Sequence, residues 1–158
     1  MRTRRYLLKL TAEPVQVREE ASVELPKPAS EMWTWLWDAS SNVDLFDAAL
    51  AMSLPGTPRG VGEVQVVIPR PGHDRIASVH EIVHLEPERR AVTRSLIRGY
   101  PSGGELLIDP IAPEACRVTQ AFTAELPPGT QVAWIDELRE TLRTALATMM
   151  RRLVELHA

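Results

Sequence analysis

The side chains able to move a proton or hold a charged group inside an apolar setting fall in the middle of this chain. In the alternating run from Ala115 to Leu126, Cys116, Val118, Gln120, Phe122 and Ala124 share one parity, which sets Gln120 among apolar neighbours. An amide there either meets a bound molecule or bonds to nearby backbone. The run from Arg75 to Leu85 has two conflicting phases. Ile76, Ser78, His80, Ile82 and His84 form one face and Arg75, Ala77, Val79, Glu81, Val83 and Leu85 the other, with a bulge able to switch phase midway. On an inward face His80 can act as hydrogen-bond donor or general base near neutral pH. On an outward face it is a strand-surface histidine. The next run puts Val92, Arg94, Leu96, Arg98 and Tyr100 on one side. An inward guanidinium there would anchor a carboxylate or phosphate in bidentate fashion, and an outward one is ordinary sheet surface.

These residues do not make a self-sufficient catalytic set. His80 and His84 would stand about 13 Å apart along an extended strand at about 3.3 Å per residue, too far to share a metal ion. Cys116 is the only cysteine, which excludes an internal disulfide or a cysteine metal cluster. The chain has no nucleophile elbow, phosphate-binding glycine loop, HExxH or dinucleotide fingerprint. Gly103 and Gly104 read as a turn. The expectation is therefore no metal and no cofactor. Enzyme activity stays open, with His80, Arg94 and Tyr100 as the residues it would have to use.

The elements that must position these groups follow from periodicity. Apolar residues Trp134, Leu138, Leu142, Ala145, Leu146, Met149, Leu153 and Leu156 recur at steps of three and four, which predicts one amphipathic helix over about 130–158. About 40 Å of helix cannot stand alone in water and must lay that stripe on other elements. Upstream, strand patterning covers about 5–10 and 15–25. A change of period at Pro28 to Asp38 then predicts a short helix, with Met32, Trp35, Leu36 and Ala39 on one face and Trp33 and Trp37 on another. A further helical turn is expected through Asn42 to Phe46. From Met52 to Leu126, Pro and Gly turns separate strands at 62–69, 75–85, 91–99, 105–111 and 115–126. Such short connections require antiparallel neighbours. In the first of these strands the inward set is read as Val64, Val66 and Ile68, leaving Glu63 and Gln65 outside.

The composition, 44% hydrophobic and 25% charged with thirteen prolines, suits one globular core. A net charge of −3 argues against nucleic acid, which needs concentrated basic surface. Arg2, Arg4, Arg5 and Lys9 make the one basic cluster, read as a solvated tail or the polar face of an added edge strand. No apolar run approaches the roughly 18 to 20 residues of a membrane span, and the location is read as cytoplasmic. Residues 1–13 are read as an extension and 14–158 as one domain.

The order strand, short helices, antiparallel strands and long final helix, with Ser22-Val23-Glu24-Leu25-Pro26 leading into Ala29-Ser30-Glu31-Met32-Trp33, resembles the START-like (SRPBCC) superfamily. So does His80-Glu81-Ile82-Val83-His84-Leu85-Glu86-Pro87-Glu88-Arg89-Arg90. That superfamily includes birch-pollen allergens, polyketide cyclases and lipid-transfer domains. Phe46 or Leu45 stands where many members carry tryptophan, and the first thirteen residues are extra. The resemblance implies an α+β helix-grip fold, with a curved antiparallel sheet of about six or seven strands wrapped on the carboxy-terminal helix. Two short helices would follow the first strand, and a cavity would lie between sheet and helix. Its lining would be Trp35 from the first short helix and Val66, His80, Arg94, Gln120 and Phe122 from the sheet. Leu138, Leu142, Ala145 and Met149 would line the helix side, where the small Thr141, Ala145 and Thr148 leave space. The leading functional expectation is binding of a small apolar or aromatic molecule. The alternatives are a cyclase or dehydratase-like enzyme and a protein-interaction module of the chaperone-activator type, the last with a homodimer formed through an added amino-terminal strand as a variant.

Overall fold

The computed structural model describes residues 9–72 and 77–158. Strict alternation from Val15 to Leu25 makes β1, which turns Val15, Val17, Ala21, Val23 and Leu25 to one face together with a single charged residue, Glu19. Pro26 ends the strand. Pro28 opens α1 (Ala29–Trp37). The Asp38 carboxylate then accepts from the Ser40 N–H at 3.0 Å and starts the 3₁₀ turn Ala39–Ser41. α2 (Asn42–Phe46) closes on Asp47, whose φ of 49° lies in the left-handed region and swings the chain into the sheet.

Seven strands follow the order β1-β7-β6-β5-β4-β3-β2, all antiparallel. They are β2 (Ala48–Ser53), β3 (Val64–Pro69), β4 (Ser78–Glu86), β5 (Arg90–Ser95), β6 (Ser102–Ala112) and β7 (Ala115–Leu126). β2 escapes sequence reading because Ala-Ala-Leu-Ala-Met favours helix, and only pairing with β3 makes it a strand. β6 begins earlier than expected. Gly103 and Gly104 are strand residues, not a turn: a Cβ on Gly103 would stand 2.0 Å from the Thr93 carbonyl oxygen, so only glycine permits that approach of β6 to β5. Correspondingly β5 stops at Ser95, and Leu96 to Pro101 form the connection. Of the strand expected at 5–10, residues 5–8 lie outside the described residues, and Leu10 makes one isolated bridge to Gln131.

α3 (Val132–His157) crosses the concave face and lies mainly along β1. Its buried line is Ile135, Leu146, Met149, Met150 and Leu153, with Leu138 and Leu142 half-buried. The expected stripe is thus rotated slightly. Trp134, Ala145 and Leu156 are exposed, because the helix leans on the β1 edge and leaves that flank uncovered.

The apolar core is divided. One cluster under the carboxyl half of α3 joins Met149, Met150 and Leu153 to Leu25, Met32, Trp33, Leu45, Ile108, Cys116 and Val118. A second, under its amino end, joins Ile135 to Val17, Ala124 and Leu126. A third holds β2 to β3 through Ala48, Ala51 and Val67.

The convex face is a ladder of ion pairs over β1, β7, β6, β5 and β4, including Arg117–Glu24 at 2.6 Å, Arg18–Glu105 at 3.0 Å and Arg90–Glu105 at 2.6 Å. Arg94 belongs to this ladder and pairs with Glu81, so it is a surface residue and not part of the concave lining. Beyond β4 the same face becomes apolar with Leu50, Met52, Val64, Val66 and Ile68. The expected parity of β3 is therefore reversed. Pairing of Gln65 with the concave residue His80 turns Glu63, Gln65 and Val67 inward and puts Val66 outside.

Candidate functional site

The register sets concave side chains in rows across the sheet. One row runs Glu19, Phe122, Gly104, Thr93, Ile82, and a neighbouring row runs Ala21, Gln120, Leu106, Ala91. A third runs Ser95, His80, Gln65, Ser53. The phase conflict at 75–85 is resolved by a bulge between Ile82 and His84. His80 and Ile82 face inward before it, while Val83 and His84 are exposed after it. Between the clusters at the two ends of α3, Phe122, Gln120, Leu106, Thr93 and His80 remain only half-buried. Phe122 packs into none of the three clusters of described residues.

The helix side of this gap follows from residue spacing. Trp134, Leu138, Thr141, Ala145, Thr148 and Arg152 recur at steps of three and four and so share one flank. At its start Trp134 meets Tyr100 of the β5–β6 connection edge-on, ring centroids 5.8 Å apart. At its end Arg152 donates to the Asp44 carbonyl at 2.9 Å. Both ends thus reach across to the opposite wall, and the small residues Thr141, Ala145 and Thr148 lie along the same flank between them. An open hollow of about 530 Å³ lies at the Tyr100 end, bounded by Leu126, Thr130, Gln131 and Trp134. Another, about 520 Å³, runs around the same rim past Gln16, Arg98 and Thr123.

The polar groups of the trough fall into two sets. Glu63 is 0% exposed, and its carboxylate accepts from Ser53 Oγ at 2.5 Å, the Gly60 N–H at 3.1 Å, Gln65 Nε2 at 3.2 Å and Arg59 at 3.2 Å. Burial works to raise its pKa, but the hydrogen bonds from Ser53, Gly60 and Gln65 and the Arg59 charge outweigh it and hold Glu63 below the ordinary carboxylate value. Gln65 Oε1 in turn lies 3.3 Å from His80 Nε2, and His80 Nδ1 lies 3.4 Å from Ser78 Oγ. Burial pushes His80 down against an upward pull from Glu63, so the imidazole is neutral at pH 7.

The second set is Glu19, which accepts from Arg139 at 3.0 Å and from Arg143 at 3.0 and 3.2 Å. Its burial favours a raised pKa, and the bonds from Arg143 and Arg139 overcome that and lower it. The folded pKa is below the unfolded one, so this cluster stabilises the protein above the unfolded pKa and is lost as pH falls through the folded pKa. Glu19→Gln should cost about 1 kcal/mol at pH 7, because the arginines are partly solvated, and the difference from wild type in urea unfolding should shrink as the pH falls through the lowered folded pKa.

The other expected site residues divide plainly. Gln120 is on the concave face, with its amide donating to the Ala121 carbonyl at 3.0 Å. Leu138 and Leu142 pack beside Tyr100 at the amino end of α3, and Met149 is core. Trp35 sits edge-on to His157, centroids 4.4 Å apart, at the far end of the helix, and Trp33 stacks on Trp37 at 5.4 Å. Sequence reasoning missed Glu63, Gln65, Thr93 and the Glu19–Arg139–Arg143 cluster. For Glu19 the signal was present, as the one charged residue in the inward parity of β1.

Among the described residues no three His, Cys, Asp or Glu side chains are grouped to hold a metal ion, and no helix is long and apolar enough to cross a membrane. Fold and trough together define an α+β protein whose curved sheet grips one helix over an open concave surface. The chain has the START-like, helix-grip fold. No protein-family model and no curated protein matches the sequence. Solved structures do. A truncated norcoclaurine synthase from Thalictrum flavum is 15% identical, covers 92% of this chain and 98% of its own, and superposes with a TM-score of 0.66. A START superfamily protein from Mycobacterium smegmatis is 11% identical over 88% of this chain and 97% of its own, TM-score 0.67. The di-domain ARO/CYC StfQ from the steffimycin biosynthetic pathway is 15% identical over 87% of this chain and 49% of its own, TM-score 0.68. Norcoclaurine synthase has also been seen in complex with dopamine and hydroxybenzaldehyde.

Proposed function

We propose that the protein binds a small apolar or aromatic molecule in the trough between the middle of α3 and the concave face of the sheet. Residues 14–158 form the binding unit and 1–13 an extension to it. The observation that carries this reading is Phe122: a large aromatic on the inner face, half-buried and outside every core cluster of the described residues, while the helix flank between Trp134 and Arg152 carries only the small side chains Thr141, Ala145 and Thr148 in its middle. Apolar surface left wet inside a fold is stabilised by whatever covers it, at about 25 cal/mol per Å². Leu106 and Leu138 extend the apolar lining, while Gln120, Thr93 and His80 supply the few polar groups that orient a ligand.

Ala145→Trp tests this directly. Ala145 is exposed on the helix flank, so the change should alter stability by only about 0.5 kcal/mol while filling the trough. Wild type should bind a naphthalene-class fluorophore with a blue-shifted emission and a raised Tm, and A145W should bind it at least tenfold more weakly. Equal binding by the two proteins would sink the assignment of the site. Native mass spectrometry of the purified protein, before and after solvent extraction, should show a ligand mass that disappears.

For the enzyme alternative, the groups that would serve it are dispersed: Arg94 pairs with Glu81 on the convex face, Tyr100 sits at the rim and His80 lies inside. The interaction-module and homodimer readings draw support from one place, the apolar convex strip of Leu50, Met52, Val66 and Ile68 beside the sheet edge at β2.

A further inference from the structure

Glu63 and Gln65 decide what His80 offers to the trough. A carboxylate only accepts hydrogen bonds, so the Gln65 amide must present its NH₂ to Glu63 Oε1, 3.2 Å away. That orientation is dictated by chemistry, and it leaves Gln65 Oε1 facing His80 Nε2 at 3.3 Å. An amide oxygen is likewise only an acceptor, so the proton of a neutral imidazole sits on Nε2. Nδ1 is then a bare lone pair. Its neighbour is the Ser78 hydroxyl at 3.4 Å, a long and weak contact from an exposed residue at the rim.

We infer that the Glu63–Gln65–His80 chain makes His80 Nδ1 a fixed hydrogen-bond acceptor, which selects ligands presenting a hydroxyl or N–H donor, such as a phenol, over the matching ether. The inference rests on the binding reading above and adds the polarity of one contact. Glu63 and Gln65 are positioning residues here, since neither needs to touch the ligand. Their burial, 0% and 7% exposed, keeps water from exchanging the amide's partners, so the tautomer does not average out.

The experiment compares 2-naphthol with 2-methoxynaphthalene, two probes of nearly one shape that differ in the ability to donate. Wild type should bind the naphthol about five- to tenfold more tightly, the value of one net hydrogen bond. His80→Asn keeps an acceptor near the Nδ1 position and should retain most of that preference. His80→Gln, which reaches instead toward the Nε2 position, should lose it, as should Gln65→Met, where the tautomer is released while volume is kept. In Gln65→Met, which does not touch the ligand, the affinity for the ether should stay within twofold. Long-range proton–nitrogen NMR of the His80 ring should show Nε2 protonated and Nδ1 bare in wild type, and a mixture in Q65M. Equal binding of both probes by wild type, or a protonated Nδ1, overturns the inference and leaves the binding site standing. Binding of neither probe overturns both.

Discussion

Replacing Glu63 with alanine should lower the stability of the protein by about 3 to 5 kcal/mol, the range for removing one partner from a buried charged network. The carboxylate is fully buried and receives Ser53, Gly60, Gln65 and Arg59. Truncation strands the Ser53 hydroxyl, the Gly60 N–H and the Gln65 amide without their acceptor in a place water does not reach freely. The loop between β2 and β3 should loosen first, because the Gly60 bond and the Glu63 N–H to Gly60 carbonyl bond at 2.9 Å close it from both sides. Glu63→Gln keeps the shape and one acceptor oxygen, and should cost about half as much. The folded pKa of Glu63 is lowered, so its contribution is present above the unfolded value and disappears as pH falls through the folded one. Urea midpoints for wild type and E63A should therefore differ widely at pH 7 and converge in acid. A loss below 1 kcal/mol at pH 7 would mean that the network is solvated and that the tautomer argument for His80 has no rigid base.

Leu153→Ala should cost about 3 to 5 kcal/mol for a different reason. Leu153 is 0% exposed and sits in the large cluster with Leu25, Met32, Ile108, Cys116 and Val118. Four carbon neighbourhoods meet there, from β1, α1, the sheet centre and α3, so the site collapses poorly and a cavity term adds to the lost transfer energy. Leu156→Ala, three residues on, removes the same side chain from a position that is 44% exposed, and should cost under 1 kcal/mol. The contrast, read by thermal or chemical unfolding, checks the rotation of the buried stripe. Similar losses at the two positions would contradict it.

The rotation shows how far patterning reaches. Steps of three and four in 130–158 are enough to establish a long helix and that it must be covered. They do not separate Ile135 from Trp134 or Met150 from Ala145, because both members of each pair border the stripe, and the lean of α3 onto β1 decides which is buried. Parity behaved in the same way. In β7 the alternation of Cys116, Val118, Gln120 and Phe122 against Thr119 and Thr123 marks the inner face, and the register puts Gln120 on it. In β3 valine and isoleucine occupy the outward parity too, so composition favoured the wrong face, and only the register with β4 brings Glu63 and Gln65 inside.

The order of elements, the antiparallel meander and the helix-grip architecture could thus be read from local signals and their resemblance to the START-like superfamily. Turn residues and periodicity act over a few residues and survive any change in packing. The site is another matter. Arg94 left it because β5 pairs its parity with Glu81 on the convex side, Val66 left it with the β3 face, and Glu63 entered it as a charged residue that no hydropathy argument would bury. Such a group is stable inside only when four donors from the β2 end, the connecting loop and β3 converge on it, and that convergence is a property of the folded chain. The concave face therefore owes its existence to the sequence pattern, and its chemistry to the register.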